Sequence, residues 1–221
     1  GSTYDDTEEN GGGQSNMAGV LNLPTRYKKG DIPYSNRDAI KNGILYTTGT
    51  GTREDKKEVI WYRTFGLDTD PQTAISIMEK SQYIFGLAEM GERRAYHILY
   101  TFSNWDFHQM GYNLEWIIRC AYYIGQNLYA QGYQNVVAIH DNYIVNGYME
   151  KLGQGSERFH IDVFISNISL ETGKRFNYTN DIRTREQVML QNEVIRIVKA
   201  CPVYFTNPEI MNQRMYGKSK I

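Results

Sequence analysis

A short segment of the sequence, HIDVFISN from residue 160 onward, combines two residue types that bind divalent metals. Strand alternation places His160 and Asp162 on one side of this segment and the apolar residues beside them on the other. A second apolar run at residues 136–140 also ends in a histidine, His140. If the two runs form neighbouring strands, His140, His160 and Asp162 are the ligands of one metal site.

Three protein ligands suit a catalytic metal rather than a structural one. They leave coordination positions open for a substrate, as a Lewis-acid catalyst requires. Two imidazoles and one carboxylate bind Mn²⁺, Fe²⁺ or Zn²⁺, and the carboxylate shifts the preference toward harder ions. We therefore predict Mn²⁺ or Mg²⁺ as the cofactor. The rival ligands in the sequence are Asp141, Glu157 and His97.

Tyr46 is the second candidate for chemistry. It follows the apolar pair IL and precedes the loop-like sequence TTGTGTR. A phenol exposed beside such a loop can attack a phosphodiester when a metal ion polarises the phosphate. The alternative is a packed aromatic residue, because the chain contains 18 tyrosines. If another tyrosine is the nucleophile, Tyr34 and Tyr27 are the candidates.

Three cations are candidates for contact with DNA phosphates. Lys174 and Arg175 belong to the turn sequence ETGKRF, which follows the metal-binding segment, and Arg53 ends the Gly/Thr-rich sequence after Tyr46. Lysine and arginine are the residues that neutralise the nucleic-acid backbone. The alternative is that all three are ordinary solvated cations of turns.

The predicted elements place these residues in an α+β domain. Residues 17–38 are expected to be an irregular arm, and residues 47–53 a flexible loop. Asp70 and Asn113 are expected to cap helices because each stands immediately before a stretch with helical periodicity. We predict strands over residues 59–64, 95–102, 134–140 and 159–168, and helices over residues 39–46, 70–85, 114–130 and 185–200. The last two strands should pair as an antiparallel hairpin, which gives a mainly antiparallel central sheet flanked by helices.

Composition is consistent with one domain of 221 residues. Residues 1–16 are expected to be a disordered tail or tag remnant, and residues 17–221 the catalytic domain. The tail contains four acidic residues and no lysine or arginine, so the rest carries 24 basic against 21 acidic residues. That balance permits DNA binding. The two cysteines are far apart in the sequence and indicate buried thiols, which is consistent with the cytoplasmic location that we expect. The sequence contains no run of 18 apolar residues, so no membrane-spanning segment is predicted.

The order of the motifs resembles the relaxase/mobilisation nuclease family (MobA/MobL-type conjugative relaxases), which belongs to the HUH endonuclease superfamily. The resemblance covers roughly residues 38–200, and its most specific part is the final strand-turn block. The matching segments, in chain order, are IKNGILYTTGTGTR, AYHILYTFS, NVVAIH and HIDVFISNISLETGKRF.

This resemblance implies a five-stranded antiparallel sheet and site- and strand-specific nicking of DNA at an origin of transfer. By position, Tyr46 matches the nucleophile that forms a 5′-phosphotyrosyl bond, and His140 and His160 match metal ligands. His97 matches a recurrent histidine to which we assign no role. The implied partners are single-stranded DNA, an accessory mobilisation protein and a coupling protein. The chain is expected to be the catalytic part of a longer protein.

The sequence departs from the family pattern in two places. Asp162 stands where the family usually has histidine, and residues 142–156 form a longer connection that we interpret as a specificity insertion. Two other functions remain open. One is a rolling-circle replication initiator, although such proteins place their tyrosine after the histidine pair. The other is a non-catalytic single-stranded-DNA-binding protein with a decayed metal site.

Overall fold

A computed structural model describes residues 18–24, 29–51, 58–87, 91–111, 113–141 and 157–200. The strands are β1 (Gly19–Leu23), β2 (Glu58–Phe65), β3 (Ala95–Ser103), β4 (Tyr133–Asp141) and β5 (Glu157–Ser169). The helices are α1 (Ala39–Thr48), α2 (Pro71–Ile84), α3 (Asn104–Gln109), α4 (Leu114–Ala130) and α5 (Asn180–Ala200). The predicted tail at residues 1–16 and the predicted insertion at residues 142–156 lie outside the described residues.

The five strands form one antiparallel sheet in the order β1-β3-β5-β4-β2. The predicted hairpin is confirmed, because β4 and β5 pair with His140 directly opposite His160. β3 lies on the other side of β5, although 53 residues separate the end of β3 from the start of β5. The predicted α+β fold with a five-stranded antiparallel sheet is confirmed, and β5 is the central strand.

Helices cover both faces of the sheet. One face packs against α4 and α5 through the larger apolar cluster, which includes Val137 and Ile139 of β4 and Ile161 and Val163 of β5. The opposite face packs against α1 and α2 through a smaller cluster that includes Phe164 of β5. Because strand residues alternate, the even-numbered positions of β4 and β5 face α1. The predicted metal ligands therefore lie under α1.

Most elements begin and end near the predicted residues. Asp70 caps α2 by accepting a 2.9 Å hydrogen bond from the backbone N–H of Thr73, and Asn113 caps α4 in the same way. The predicted irregular arm instead contains β1, an edge strand of five residues that is defined by its pairing with β3. The six-residue helix α3 was not predicted, and α5 begins five residues earlier than expected.

The helix α1 extends through Thr48, so Tyr46 lies in its last turn rather than at the edge of a loop. The prediction of a loop from residue 47 was wrong at its first two residues. The hydroxyl groups of Thr47 and Thr48 each donate a hydrogen bond to the backbone carbonyl oxygen four residues earlier in the helix. These bonds satisfy both hydroxyl groups within α1. Gly49 then ends the helix in the left-handed conformation, with φ of 74°.

Gly43 allows α1 to lie close to the sheet. A Cβ atom at this position would overlap the ring of Phe164, a fully buried residue of β5. The glycine that weakens the helix in isolation is thus required by helix–sheet contact. No helix within the described part of the chain has the length and apolarity needed to cross a lipid bilayer.

Candidate metal centre and active site

Four polar side chains lie buried on the face of the sheet that α1 covers. His97 comes from β3, His140 from β4, and His160 and Asp162 from β5; none is more than 4% exposed. Burial of so many ionisable groups is tolerated only where they bind one another or a metal. The sheet register brings them together, because β5 lies between the two strands that carry the other histidines.

The carboxylate of Asp162 lies at the centre of this group. Its Oδ1 is 2.7 Å from Nε2 of His97, and its Oδ2 is 2.5 Å from Nδ1 of His140 and 3.1 Å from Nε2 of His160. Burial alone would raise the pKa of Asp162. The neighbouring histidines outweigh that effect and hold its pKa well below the usual value, so the carboxylate is ionised.

His140 has a hydrogen-bonding pattern that suits a metal ligand. Its Nε2 lies 2.9 Å from the backbone carbonyl oxygen of Thr47, which can only accept, so Nε2 carries a proton. In a neutral ring the Nδ1 lone pair then faces Oδ2 of Asp162 at 2.5 Å, and the two electron pairs repel. A proton on Nδ1 or a shared metal ion removes this repulsion. A ligating histidine that donates its other N–H to a carbonyl is the usual arrangement.

The predicted ligand set therefore fits a divalent cation. His140, His160 and Asp162 each offer one ligand atom, and these atoms lie within 4.8 Å of one another. His97 contacts the other carboxylate oxygen and does not belong to this set. Asp141 alternates onto the opposite face of β4, and the side chain of Glu157 lies outside the described part.

Tyr46 lies over the same four side chains. Its ring centroid is 5.7 Å from that of His97 and 5.6 Å from that of His140, both in edge-to-face geometry. The side chain is half-buried, so it borders both the cluster and the solvent. Its position depends on α1, because Gly43 and Phe164 determine how closely the helix approaches β5.

Tyr34 is a contact of this centre that the sequence indicated only as an alternative nucleophile. Its hydroxyl lies 3.2 Å from Nδ1 of His97. The segment around Tyr34 has no periodicity, so nothing local indicates this contact. The contact between His140 and the Thr47 carbonyl was likewise not predictable, because every residue has a backbone carbonyl and the sequence does not indicate which one accepts a hydrogen bond.

Two of the three cations predicted to bind DNA lie away from the centre. Lys174 and Arg175 are exposed near the end of β5, where Ser169 lies seven positions beyond Asp162, or about 23 Å of strand. Arg175 forms an exposed ion pair of 3.3 Å with Glu92. Arg53 lies outside the described residues.

Comparison with known families identifies the domain. The nuclease domain described as "Relaxase: MobA/VirD2-like" matches residues 46–194, about two thirds of the chain. The chain belongs to this relaxase family. The match begins at Tyr46 and includes all three predicted metal ligands. No curated protein and no solved structure gives a significant match to this relaxase domain.

Proposed function

We propose that this relaxase domain nicks single-stranded DNA with Tyr46 as the nucleophile and a divalent metal held by His140, His160 and Asp162. The observation that supports this most directly is the position of Tyr46, whose ring contacts the ring of His140, a predicted metal ligand, at 5.6 Å between centroids. A phosphate beside the tyrosine would therefore also lie beside the ligand set. Attack of a hydroxyl group on a phosphodiester is faster when the nucleophile and the phosphate are held close together.

The reaction exchanges one phosphodiester bond for another. The hydroxyl oxygen of Tyr46 bonds to the scissile phosphorus, and the bond from phosphorus to the 3′ oxygen breaks. The tyrosine loses its proton, the departing 3′ oxygen gains one, and the 5′ phosphate remains on Tyr46. Because the phosphotyrosyl bond is still an ester, a 3′ hydroxyl can attack it and rejoin the strand.

The charges of the centre suit this role. A bound divalent metal would supply Lewis-acid polarisation of the phosphate oxygens. Asp162 provides the only negative charge among the predicted ligands, and its low pKa keeps that charge in place. An oxygen ligand favours Mn²⁺ or Mg²⁺ over softer ions. His140 and His160 lie opposite each other on rigid strands, so the ligand geometry needs little reorganisation.

Family membership supports the finer parts of the proposal. The substrate is single-stranded DNA at an origin of transfer of a plasmid or integrative element, and an accessory mobilisation protein and a coupling protein are the proposed partners. Lys174 and Arg175 would contact the DNA backbone away from the cleaved bond. Arg53, which lies outside the described residues, is the third proposed phosphate contact. The proposed location is the cytoplasm, where such DNA is processed.

The test uses labelled single-stranded DNA from the adjacent origin, incubated with Mn²⁺ or EDTA and resolved on a denaturing protein gel. We expect a metal-dependent covalent adduct that Tyr46→Phe abolishes while DNA binding persists. Tyr129→Phe, at an exposed position on α4, is the matched control and should form the adduct normally.

Each contrary result has a distinct meaning. An adduct retained by Tyr46→Phe would assign the nucleophile to another tyrosine. DNA binding without adduct or cleavage in the wild type would favour the non-catalytic protein with a decayed site. Cleavage of a replication origin but not of an origin of transfer would favour a rolling-circle initiator.

A further inference from the structure

The side chains of Tyr34, His97 and Asp162 form a continuous line of hydrogen bonds. The Tyr34 hydroxyl is 3.2 Å from Nδ1 of His97, and Nε2 of His97 is 2.7 Å from Oδ1 of Asp162. His97 and Asp162 are buried, at 4% and 0% exposure. Neither Tyr34 nor His97 belongs to the predicted ligand set, so the proposed function leaves both without a role.

The direction of donation along this line follows from the chemistry of its ends. An ionised carboxylate can only accept, so Nε2 of His97 must carry the proton toward Asp162. In a neutral ring Nδ1 is then an acceptor, and the Tyr34 hydroxyl is the donor that faces it. Burial is the main reason that the pKa of Tyr34 rises to about 12, and the hydroxyl therefore keeps its proton.

We propose that Tyr34 and His97 are positioning residues that hold Asp162 in the orientation required of a metal ligand. His97 occupies Oδ1 and so directs Oδ2 toward His140 and His160, and Tyr34 selects the His97 tautomer that can do this. The proposal rests on the proposed function, since it concerns the same metal. A partner of this kind sets both the rotamer and the basicity of a ligand.

The backbone of Tyr34 supports this assignment. It has φ of 53°, the only positive φ among the non-glycine residues of the described part of the chain. Bulky side chains rarely adopt this region, where glycine or asparagine is favoured. The conformation is held by a 2.9 Å hydrogen bond from the Arg94 N–H to the Tyr34 carbonyl. It directs the ring onto His97 and Phe164, with centroid separations of 6.3 and 6.1 Å.

The test measures Mn²⁺ binding alone, by titrating the 221-residue chain and following free Mn²⁺ by electron paramagnetic resonance. We expect His97→Ala to raise Kd about 10- to 100-fold, the usual cost of removing such a partner. Tyr34→Phe removes one neutral hydrogen bond and should raise Kd about 3- to 10-fold. His97→Gln restores an N–H donor and should recover most of the affinity lost in His97→Ala.

A double variant separates positioning from general destabilisation. The glutamine amide in His97→Gln has no tautomer for Tyr34 to select, so adding Tyr34→Phe to His97→Gln should not change Kd further. Tyr100→Phe is the matched control. Tyr100 is a buried tyrosine of β3 that donates to Glu186 at 3.0 Å on the opposite face. The Tyr100→Phe variant should bind Mn²⁺ with the same Kd as the wild type.

The outcomes distinguish this inference from the proposed function. If the wild type binds Mn²⁺ and forms its DNA adduct while Tyr34→Phe and His97→Ala bind Mn²⁺ normally, only the positioning role is overturned. It is also overturned if Tyr34→Phe weakens binding equally in the His97→Gln background. If the wild type neither binds Mn²⁺ nor forms an adduct, the proposed function fails first. Should His97→Ala not fold, Tyr34→Phe, His97→Gln and their combination decide the matter.

Discussion

The imidazole of His140 donates a 2.9 Å hydrogen bond from Nε2 to the main-chain carbonyl of Thr47, the residue that follows Tyr46. One side chain thus joins the ligand set on the sheet to the last turn of α1. Movement of the helix end would disturb both the proposed nucleophile, Tyr46, and the proposed ligand, His140.

Replacing His140 should have a consequence that replacing His160 does not. His140→Ala removes a proposed ligand and the hydrogen bond to α1, whereas His160→Ala removes a proposed ligand and leaves the hydrogen bond between His140 and Thr47 in place. Both should lose Mn²⁺ affinity in a titration. Only His140→Ala should speed hydrogen exchange of the backbone amides in the last turn of α1, measured without metal. Equal exchange in the two variants would show that the Thr47 contact does not hold the helix.

The identity of residue 162 should determine metal preference. Asp162→His replaces the carboxylate with the residue usual in the family and should shift preference from Mn²⁺ toward Zn²⁺, because nitrogen ligands favour the softer ion. Asp162→Asn removes the negative charge and should weaken Mn²⁺ binding strongly. The loss should exceed the about 10- to 100-fold loss of affinity that follows removal of a residue hydrogen-bonded to a ligand. Calorimetric titration with both metals checks this. Wild-type selectivity in Asp162→His would exclude Asp162 as a ligand.

Enlarging Gly43 should displace Tyr46 without a direct contact between the added methyl group and the predicted metal ligands. The added methyl of Gly43→Ala meets the ring of Phe164, and such overpacking costs about 1–3 kcal/mol. The gain in helix propensity, about 1 kcal/mol, offsets part of this cost. We expect lower thermal stability and slower adduct formation. Asn42→Ala, at an exposed position of the same helix, is the control and should show neither change.

The exposed cations Lys174 and Arg175 should affect binding but not cleavage. They follow the end of β5, where Arg175 pairs with Ile168, about 20 Å of strand from Asp162, so we expect the double alanine variant to leave the chemistry unaltered. We expect weaker DNA binding with a shallower salt dependence, because fewer phosphates are neutralised. The single-turnover cleavage rate at saturating DNA should match that of the wild type. A slower rate at saturation would place these residues nearer the scissile bond.

Asp106 should make stability depend on pH near neutrality. Burial raises its pKa from 3.8 to about 6, although hydrogen bonds with Ser103 oppose the shift. A raised folded pKa gives stability that is complete below about pH 4 and lost as pH rises through 6. Asp106→Asn should therefore gain stability relative to the wild type above pH 6, on the order of 1 kcal/mol after allowance for solvent screening. Thermal unfolding at pH 4 and pH 7 measures this; an equal effect at both values would contradict it.

Local patterns in the sequence were sufficient to predict much of the candidate site. Alternation in HIDVF put His160 and Asp162 on one face, and the short apolar runs around them predicted a hairpin that brings in His140. The caps at Asp70 and Asn113 predicted two helix starts. Each of these inferences depends on residues close together in the chain, where spacing alone determines direction.

The remaining features of the centre depend on contacts between segments that are distant in the chain. The pairing of β3 with β5 brings His97 to Asp162, and docking of α1 through Gly43 brings Tyr46 and the Thr47 carbonyl to His140. Strand β1 exists because it pairs with β3. Sequence periodicity reports which face of an element is apolar but not which element covers it. Only the packing of the helices and strands against one another could therefore bring Tyr46, the Thr47 carbonyl and His97 together in one centre.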